Sequence, residues 1–160
     1  MIVCRHSPPQ VPLRLAAPAP PPPPPLPTRG EVFSQSSSAC ARTLAQLGGV
    51  SNGGSLGYLA GSMLAGSLAT SGNVALGLAL LGAGVGGAVG WKAMGKVSDW
   101  AARLATRALP GHALHAEAAG RTALNLAVDL LSGSPITAAV DLSVTAGWGL
   151  YRSVRTPHRT

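Results

Sequence analysis

The sequence predicts an all-α fold built around a membrane-associated helical hairpin, and three observations carry this prediction. Residues 43–91 contain no Asp, Glu, Lys, Arg or His, and one bilayer crossing takes about 20 apolar residues. Charged residues make up only 11% of the chain, against about 25% in soluble domains. The chain also has 21 glycines, which destabilise water-exposed helices but allow helices to approach closely in lipid.

We expect three units along the chain: a disordered proline-rich arm at 1–42, a two-helix transmembrane hairpin at 43–95, and an amphipathic, membrane-proximal helical region with a basic tail at 96–160. The net charge of +7 is also found in nucleic-acid binders. Here the basic residues flank apolar stretches singly or in pairs, which is typical of membrane segments. A lipid membrane, and not nucleic acid, is therefore the expected partner.

The arm is rich in proline, with an unbroken run at 20–25 and a further proline at 27. Proline fixes φ and removes the amide donor, so we expect an extended polyproline arm, continued by a flexible serine linker at 34–38. Pro24, Pro27 and Arg29 fit the spacing of a ligand for SH3-like domains, in which two prolines fill aromatic grooves and the arginine meets an acidic patch. A plain spacer is the alternative.

The uncharged block divides at a turn-type cluster, residues 70–73, into legs at 53–70 and 74–91. Each leg would span about 27 Å as a helix, close to the hydrocarbon thickness. Small residues recur at every fourth position on both legs, which predicts a glycine zipper that closes the hairpin and stacks copies of it. The alternative is a chance pattern. The predicted packing residues are Gly53, Gly57, Gly61, Ala65, Gly82, Gly86 and Gly90.

Aromatic and basic residues follow the second leg and predict its border with water. Trp91, Lys92, Lys96 and Trp100 are the expected interface anchors, because Trp and Lys concentrate at the edges of the hydrocarbon layer. Basic residues lie at both ends of the hairpin and none lies in its turn. We therefore expect both ends to face the cytoplasmic side of the membrane.

Three more helices are expected after the hairpin. Residues 97–109 predict a short amphipathic helix in the interface plane. Residues 113–131 predict a further helix, and a Ser-Gly-Ser-Pro break at 132–135 predicts the start of the last one, which extends to about residue 154. This last helix either crosses the membrane or packs against its neighbour. Asp129 and Asp141 would be functional in lipid, and solvated otherwise.

The sequence holds no P-loop, nucleophile elbow, zinc-type Cys/His set or dinucleotide motif, so we expect a non-enzymatic protein without metal or cofactor. The leading hypothesis is a membrane protein whose hairpin self-associates and remodels or permeabilises its membrane. A second hypothesis is a membrane-anchored adaptor that presents the proline arm to an SH3-like domain. A third is a recently arisen reading frame without settled function.

Overall fold

The computed structural model describes residues 22–68 and 71–159, and this part of the chain is helical. The four α-helices are α1 (Arg29–Ser67), α2 (Gly72–Ala108), α3 (Ala113–Leu131) and α4 (Pro135–Arg155), with a short 3-10 helix at Pro110–His112 before α3. Among the described residues the only β-type pairing is an isolated bridge between Thr28 and Arg159. The prediction of an all-α fold is confirmed.

Helix α1 begins with a capping box. The backbone N–H of Thr28 donates to Glu31 Oε2 at 2.6 Å, and the N–H of Glu31 donates to Thr28 Oγ1 at 3.3 Å, so the two residues satisfy each other's free backbone donors. The expected disorder is therefore wrong for residues 29–42, which are helical. Residues 1–21 of the expected arm lie outside the described residues.

The serines at 34–38 are the physical reason for this correction. They pack against other helices and do not form a flexible linker. Ser34, Ser37 and Ser38 are buried on one face of α1. Ser37 Oγ donates to the carbonyl oxygen of Thr145 on α4, and Ser38 Oγ donates to Glu117 on α3 at 2.9 Å. Small hydroxyls at helical spacing therefore dock α1 against two later helices, a role that local composition does not reveal.

Helix α2 continues without interruption from the second leg to Ala108. The expectation of a separate interfacial helix at 97–109 is therefore wrong. Residues 92–97 contain no proline, and Gly95 is packed against α1, where an added Cβ would lie 2.8 Å from Gln46 Nε2. With no helix breaker in this stretch, α2 continues to Ala108 and ends just before Pro110, whose ring cannot continue a helix.

The last two helices have the bounds that the sequence predicted. Their connection includes Gly133 at φ +75°, a backbone conformation that glycine adopts without a steric penalty. Pro135 occupies the first position of α4, where its missing N–H costs nothing. The four-residue break therefore forms a tight turn between two antiparallel helices.

The helices alternate in direction, and α1 contacts all three others, whereas α2 and α4 share no contact in the described part of the chain. The Arg159 N–H donates to the Pro27 carbonyl at 3.0 Å, so the start of α1 lies beside the end of α4. Residues 29–52 of α1 and 87–108 of α2, together with α3 and α4, form a four-helix bundle that we call the base. Beyond it, residues 53–68 and 71–86 continue as a pair, the projecting hairpin.

Burial in this fold is the reverse of that in a water-soluble bundle. Within residues 22–68 and 71–159, every buried hydrophobic residue apart from Val32 is an alanine, and the largest fully buried side chains are Ser98 and Ser153. The large apolar side chains lie outside, with Leu131 88% exposed and Ile136 78% exposed. Soluble proteins bury Leu, Ile and Phe, so this arrangement does not match a fold held together by water exclusion.

Among the described residues one helix, α2, is long and apolar enough to cross a membrane, judged by length and composition alone. Helix α1 does not reach the same level, because serines dilute its leucines. The structure thus supports one crossing segment on composition, where the sequence predicted a pair.

An ionic cluster holds the base together. Arg121 Nη2 lies 2.9 Å from Asp99 Oδ1 and 3.1 Å from Glu117 Oε1, and Arg42 Nη2 lies 2.9 Å from Asp99 Oδ2. Arg121 is buried, whereas Arg42 is exposed. A single buried guanidinium on α3 therefore joins α2 and its own helix through two carboxylates.

Arg121→Met should destabilise the base, because it leaves Asp99 and Glu117 without their shared cation. Removing one partner of a fully buried pair costs about 3–5 kcal/mol, and since both carboxylates are about one-third exposed we expect about 2 kcal/mol. The exposed Arg42 provides the matched control, and Arg42→Met should cost less than about 1 kcal/mol. Unfolding in detergent solution measures both, and equal losses would contradict the assignment.

Candidate functional site

The interface between α1 and α2 is built from glycines that face each other across the helix pair. Gly49 lies against Gly90, Gly53 against Gly86, and Gly57 against Gly82, while Gly61 lies against Leu78 and Ala79. The helices are antiparallel, so a step of four residues up α1 matches a step of four down α2. The same faces therefore stay in register over three helical turns.

At these positions the two backbones leave no room for a side chain. A Cβ on Gly57 would lie 2.7 Å from the carbonyl carbon of Gly82 and 3.1 Å from the Cα of Gly86. A Cβ on Gly86 would lie 3.0 Å from both the carbonyl carbon of Gly53 and the Cα of Gly57. Real Cβ atoms do not approach backbone so closely, and the contact requires glycine on both helices.

The structure brings together most of the predicted packing residues. All six predicted glycines lie in this interface, and Ala65 is buried further along the same helix. Ala69, which continues the repeat, lies outside the described residues. Sequence reasoning missed Gly49 because it started the first leg at residue 53, although Gly49 belongs to the same series of four. Gly120 packs on Ala101 and Ala105. It belongs to no repeat of small residues, so the sequence did not indicate this contact.

The outer surface of the projecting hairpin is apolar, and so is that of the next helical turn of α2, residues 87–90. No charged residue lies on it. Two serine hydroxyls on it are satisfied within their own helix: Ser55 donates to the Ser51 carbonyl at 2.9 Å, and Ser62 donates to the Tyr58 carbonyl at 2.8 Å. Large side chains at least half exposed on this surface are Leu56, Leu59, Met63, Leu64, Leu68, Val74, Leu76, Leu80, Leu81, Val85 and Val89.

The predicted interface anchors lie on α2 directly below this apolar surface. Trp91, Lys92, Lys96 and Trp100 are all exposed. The rise from the start of α2 at Gly72 to Trp91 is about 28 Å, which is close to the hydrocarbon thickness of about 30 Å. The apolar length thus ends where the first tryptophan and lysine appear.

The proline motif is only partly extended. Pro24 is exposed in an irregular segment, and Pro27 is half-buried with its carbonyl bonded to the N–H of Arg159. Arg29 is exposed but is the first residue of α1. The chain therefore turns into a helix between the second proline and the arginine, and the three residues do not share one polyproline rod.

Ser34 and His115 form the one Ser–His pair that resembles catalytic chemistry in the described residues. The Ser34 hydroxyl bonds His115 Nδ1, with Ser34 buried on α1 and His115 exposed on α3. Glu31 is engaged in the capping box, and the hydrogen bond that its carboxylate accepts from the Thr28 backbone N–H, followed by the interaction with the Thr28 side chain, lowers the pKa of its carboxyl. The pair therefore serves to dock α3 on α1.

A cavity of about 380 Å³ with both polar and apolar lining residues lies where α3 ends and α4 begins, against α1, at the top of the base. Asp129 on α3 and Asp141 on α4 both line it. Burial, and then the negative charge of Asp129, raise the pKa of Asp141. No group of three or more His, Cys, Asp or Glu side chains suited to a metal occurs within residues 22–68 and 71–159.

Asp141→Asn should stabilise the fold at neutral pH in the presence of a chelator. A raised pKa in the folded state means that the protonated form of Asp141 is the favourable one, so its contribution is present below the unfolded pKa and is lost as pH rises through the folded pKa. The variant should therefore melt higher than the unmodified protein at pH 7, and the gap should close below pH ~4. A gap that widens on acidification would contradict the assignment.

Together these features form an apolar outer surface around a helix contact made of glycines. Tryptophans and lysines of α2 border this surface. Such a surface has its large apolar side chains outside and its smallest residues at the contact between α1 and α2. Comparison of the chain with family models, with curated proteins and with solved structures finds no match.

Proposed function

We propose that this chain is a non-enzymatic membrane protein whose α1–α2 hairpin inserts into a bilayer as a glycine zipper, self-associates, and remodels or permeabilises the membrane. The observation that carries the proposal is the inverted burial. Large apolar side chains cover the outside of the projecting hairpin, while glycine and alanine fill its inside. Lipid is the solvent in which this distribution is favourable.

The energetic argument compares the two solvents. In water, the exposed leucines, valines and methionine of the projecting hairpin gain little from folding, since each remains at least half exposed. Full burial of one such side chain contributes about 1.5–3 kcal/mol. Transfer of the whole half-exposed set into lipid therefore contributes on the order of 10 kcal/mol, which favours insertion over exposure.

The interior of the hairpin is also suited to lipid. Hydrophobic attraction between helices disappears in a bilayer, and close packing of small residues replaces it. The glycine contacts between α1 and α2 supply that packing. Serine hydroxyls bonded back to the carbonyl three or four residues earlier remove the polar groups that would otherwise be unsatisfied in hydrocarbon.

Self-association is supported by small residues that face away from the partner helix. Gly77 and Gly84 have no atom within 4 Å of an added Cβ, and at a spacing of seven residues they share one outer face of α2. A second copy can approach this face as closely as α1 approaches the inner one. The hairpin therefore offers two packing faces, one used within the chain and one free for another molecule.

The proposed topology places the base on the cytoplasmic side and the turn near residue 70 on the far side. Lys92, Lys96, Arg103 and Arg107 follow the apolar length, and no basic residue lies in the described part of the turn. Basic residues stay on the cytoplasmic side of membrane segments. In this topology α4 belongs to the base and does not cross.

Purified protein reconstituted with liposomes tests the proposal. We expect it to float with the liposomes and to resist carbonate extraction, and we expect dye-loaded liposomes to leak or to change size as the protein-to-lipid ratio rises. A cysteine at Ser71 should react with an impermeant maleimide only on the side opposite to a cysteine at Thr156. Recovery in the soluble fraction without detergent would overturn the proposal.

A membrane-anchored adaptor is the second candidate, supported by the exposure of residues 22–26. Titration of SH3-like domains against the full chain tests it. Binding that is lost in Pro24→Ala while liposome binding is retained would favour the adaptor. Because Arg29 lies on α1, recognition through all three motif residues would require the first turn of the helix to unwind.

A further inference from the structure

The cavity at the top of the base has acidic but no basic lining residues, although the chain as a whole is basic. The chain carries a net charge of +7, yet no Lys, Arg or His lines this cavity, and two of the five acidic residues do. The other three acidic residues are engaged: Asp99 and Glu117 by arginines, and Glu31 by the capping box. Asp129 and Asp141 are the acidic residues for which the structure provides no cation.

Two of the residues that line this cavity each carry an oxygen that is buried without a hydrogen-bond donor among the described residues. One is Asp129 Oδ2 and the other is Asn125 Oδ1. Asn125 is only 5% exposed, and its Nδ2 donates to the Ala41 carbonyl at 2.8 Å. Because a carbonyl can only accept, the amide nitrogen must face Ala41, which leaves Oδ1 as the free group on a residue that lines the cavity.

A buried oxygen without a donor costs about 1–3 kcal/mol, and more when it is charged. Protonation of one carboxylate would relieve part of the repulsion between the two acids, but a single shared proton cannot also satisfy the amide oxygen of Asn125. A bound cation satisfies all of these groups at once. Ser132, Ser134 and Thr137 also line the cavity, but their hydroxyls already bond within the turn, Ser132 Oγ to the Asp129 carbonyl and Ser134 Oγ to Thr137 Oγ1.

We propose that this cavity is a calcium site in which Asp129, Asp141 and Asn125 Oδ1 supply the protein ligands. The donor set is made only of oxygen, which excludes the nitrogen and sulfur preference of zinc and copper. Calcium accepts six to eight oxygens in irregular geometry and uses carboxylates in bidentate mode, whereas magnesium demands a regular octahedron. A cavity of about 380 Å³ leaves space for the waters that complete the shell.

The site would connect two helices. Asn125 and Asp129 lie on α3 and Asp141 lies on α4, while Ser51 and Asn52 of α1 also line the cavity. Bound calcium therefore ties the end of α3 to the start of α4, beside α1, at the level where the base gives way to the projecting hairpin. Occupancy stabilises the base at its upper end, independently of whether the hairpin enters a bilayer.

The test uses the full chain in detergent and calorimetric titration with calcium chloride after removal of metal by a chelator. We expect one calcium ion per chain and a higher melting temperature in its presence. Asp129→Asn and Asp141→Asn should each weaken binding by at least about tenfold, since each removes one charged ligand. Glu31→Gln is the matched control, because it removes one negative charge while glutamine maintains the capping box.

Each outcome decides the proposal. Loss of binding in both aspartate variants with normal binding in Glu31→Gln supports it. Absence of calcium binding to the unmodified protein at millimolar concentration overturns it, as does equal weakening in the control. Asparagine variants that raise the melting temperature equally with and without calcium would identify the pair as a proton site and also overturn it. Far-UV circular dichroism of each variant excludes unfolding as the cause.

Discussion

Gly86→Leu is expected to separate α1 from α2. A Cβ at this position would already lie 3.0 Å from the carbonyl carbon of Gly53 and from the Cα of Gly57, and backbone atoms cannot move aside as a side chain can. Overpacking costs about 1–3 kcal/mol even where neighbours relax, so we expect a loss of about 3 kcal/mol or more. The helix axes should move to the 8–10 Å separation of ordinary side-chain packing.

Pulsed electron paramagnetic resonance between spin labels at Ser62 and Leu76 measures this separation in reconstituted protein, with both native cysteines replaced by alanine. Gly84→Leu is the matched control, because Gly84 has no atom within 4 Å of an added Cβ and the change in helix propensity is the same. The control should retain the original label distance. An unchanged distance in Gly86→Leu would contradict the close backbone contact.

Leu81→Lys combined with Val85→Lys is expected to abolish membrane insertion. Both residues are at least two-thirds exposed, lie on one face of α2, and fall near the middle of its apolar length. A lysine at the centre of a membrane helix costs about 2.5–3.5 kcal/mol, so the pair should lower partitioning into liposomes by a factor of about 10³ or more. Flotation of liposomes through a density gradient measures the effect.

Leu104→Lys is the control for this pair. Leu104 lies on the same helix and is 42% exposed, but it belongs to the base, beyond the lysines that border the apolar length. We expect this variant to float as the unmodified protein does. If Leu81→Lys with Val85→Lys floats equally well, the projecting hairpin is not in contact with lipid and the proposed function is wrong.

The sequence predicted the helices after residue 110 well, because strong local punctuation marks them. Pro110, Gly133 and Pro135 stop and restart helices through their own backbone chemistry, and no tertiary contact is needed to interpret them. The start of α1 was wrong for the opposite reason. A proline-rich segment and a run of serines indicate disorder by composition, but Thr28 and Glu31 form a capping box, and the serines are buried by partners more than 70 residues away.

The glycine interface was partly accessible to sequence analysis. Spacing of four predicts that Gly53, Gly57 and Gly61 share a face, but it does not predict which glycine on the other leg each one meets. That register depends on where the turn places the second leg. Contacts such as Asn125 with Ala41, or Arg121 with Asp99, join residues far apart in the chain that belong to no repeat, so no local pattern could identify them.

The continuity of α2 has a mechanical consequence. One unbroken helix of 37 residues forms a rod of about 55 Å that runs from the hairpin tip to the foot of the base. A rod without a hinge transmits rotation, so in the proposed topology a bilayer whose thickness forces the hairpin tip to tilt also tilts the lower end of α2 toward α3. The proposal therefore couples membrane thickness to the geometry of the ionic cluster around Arg121.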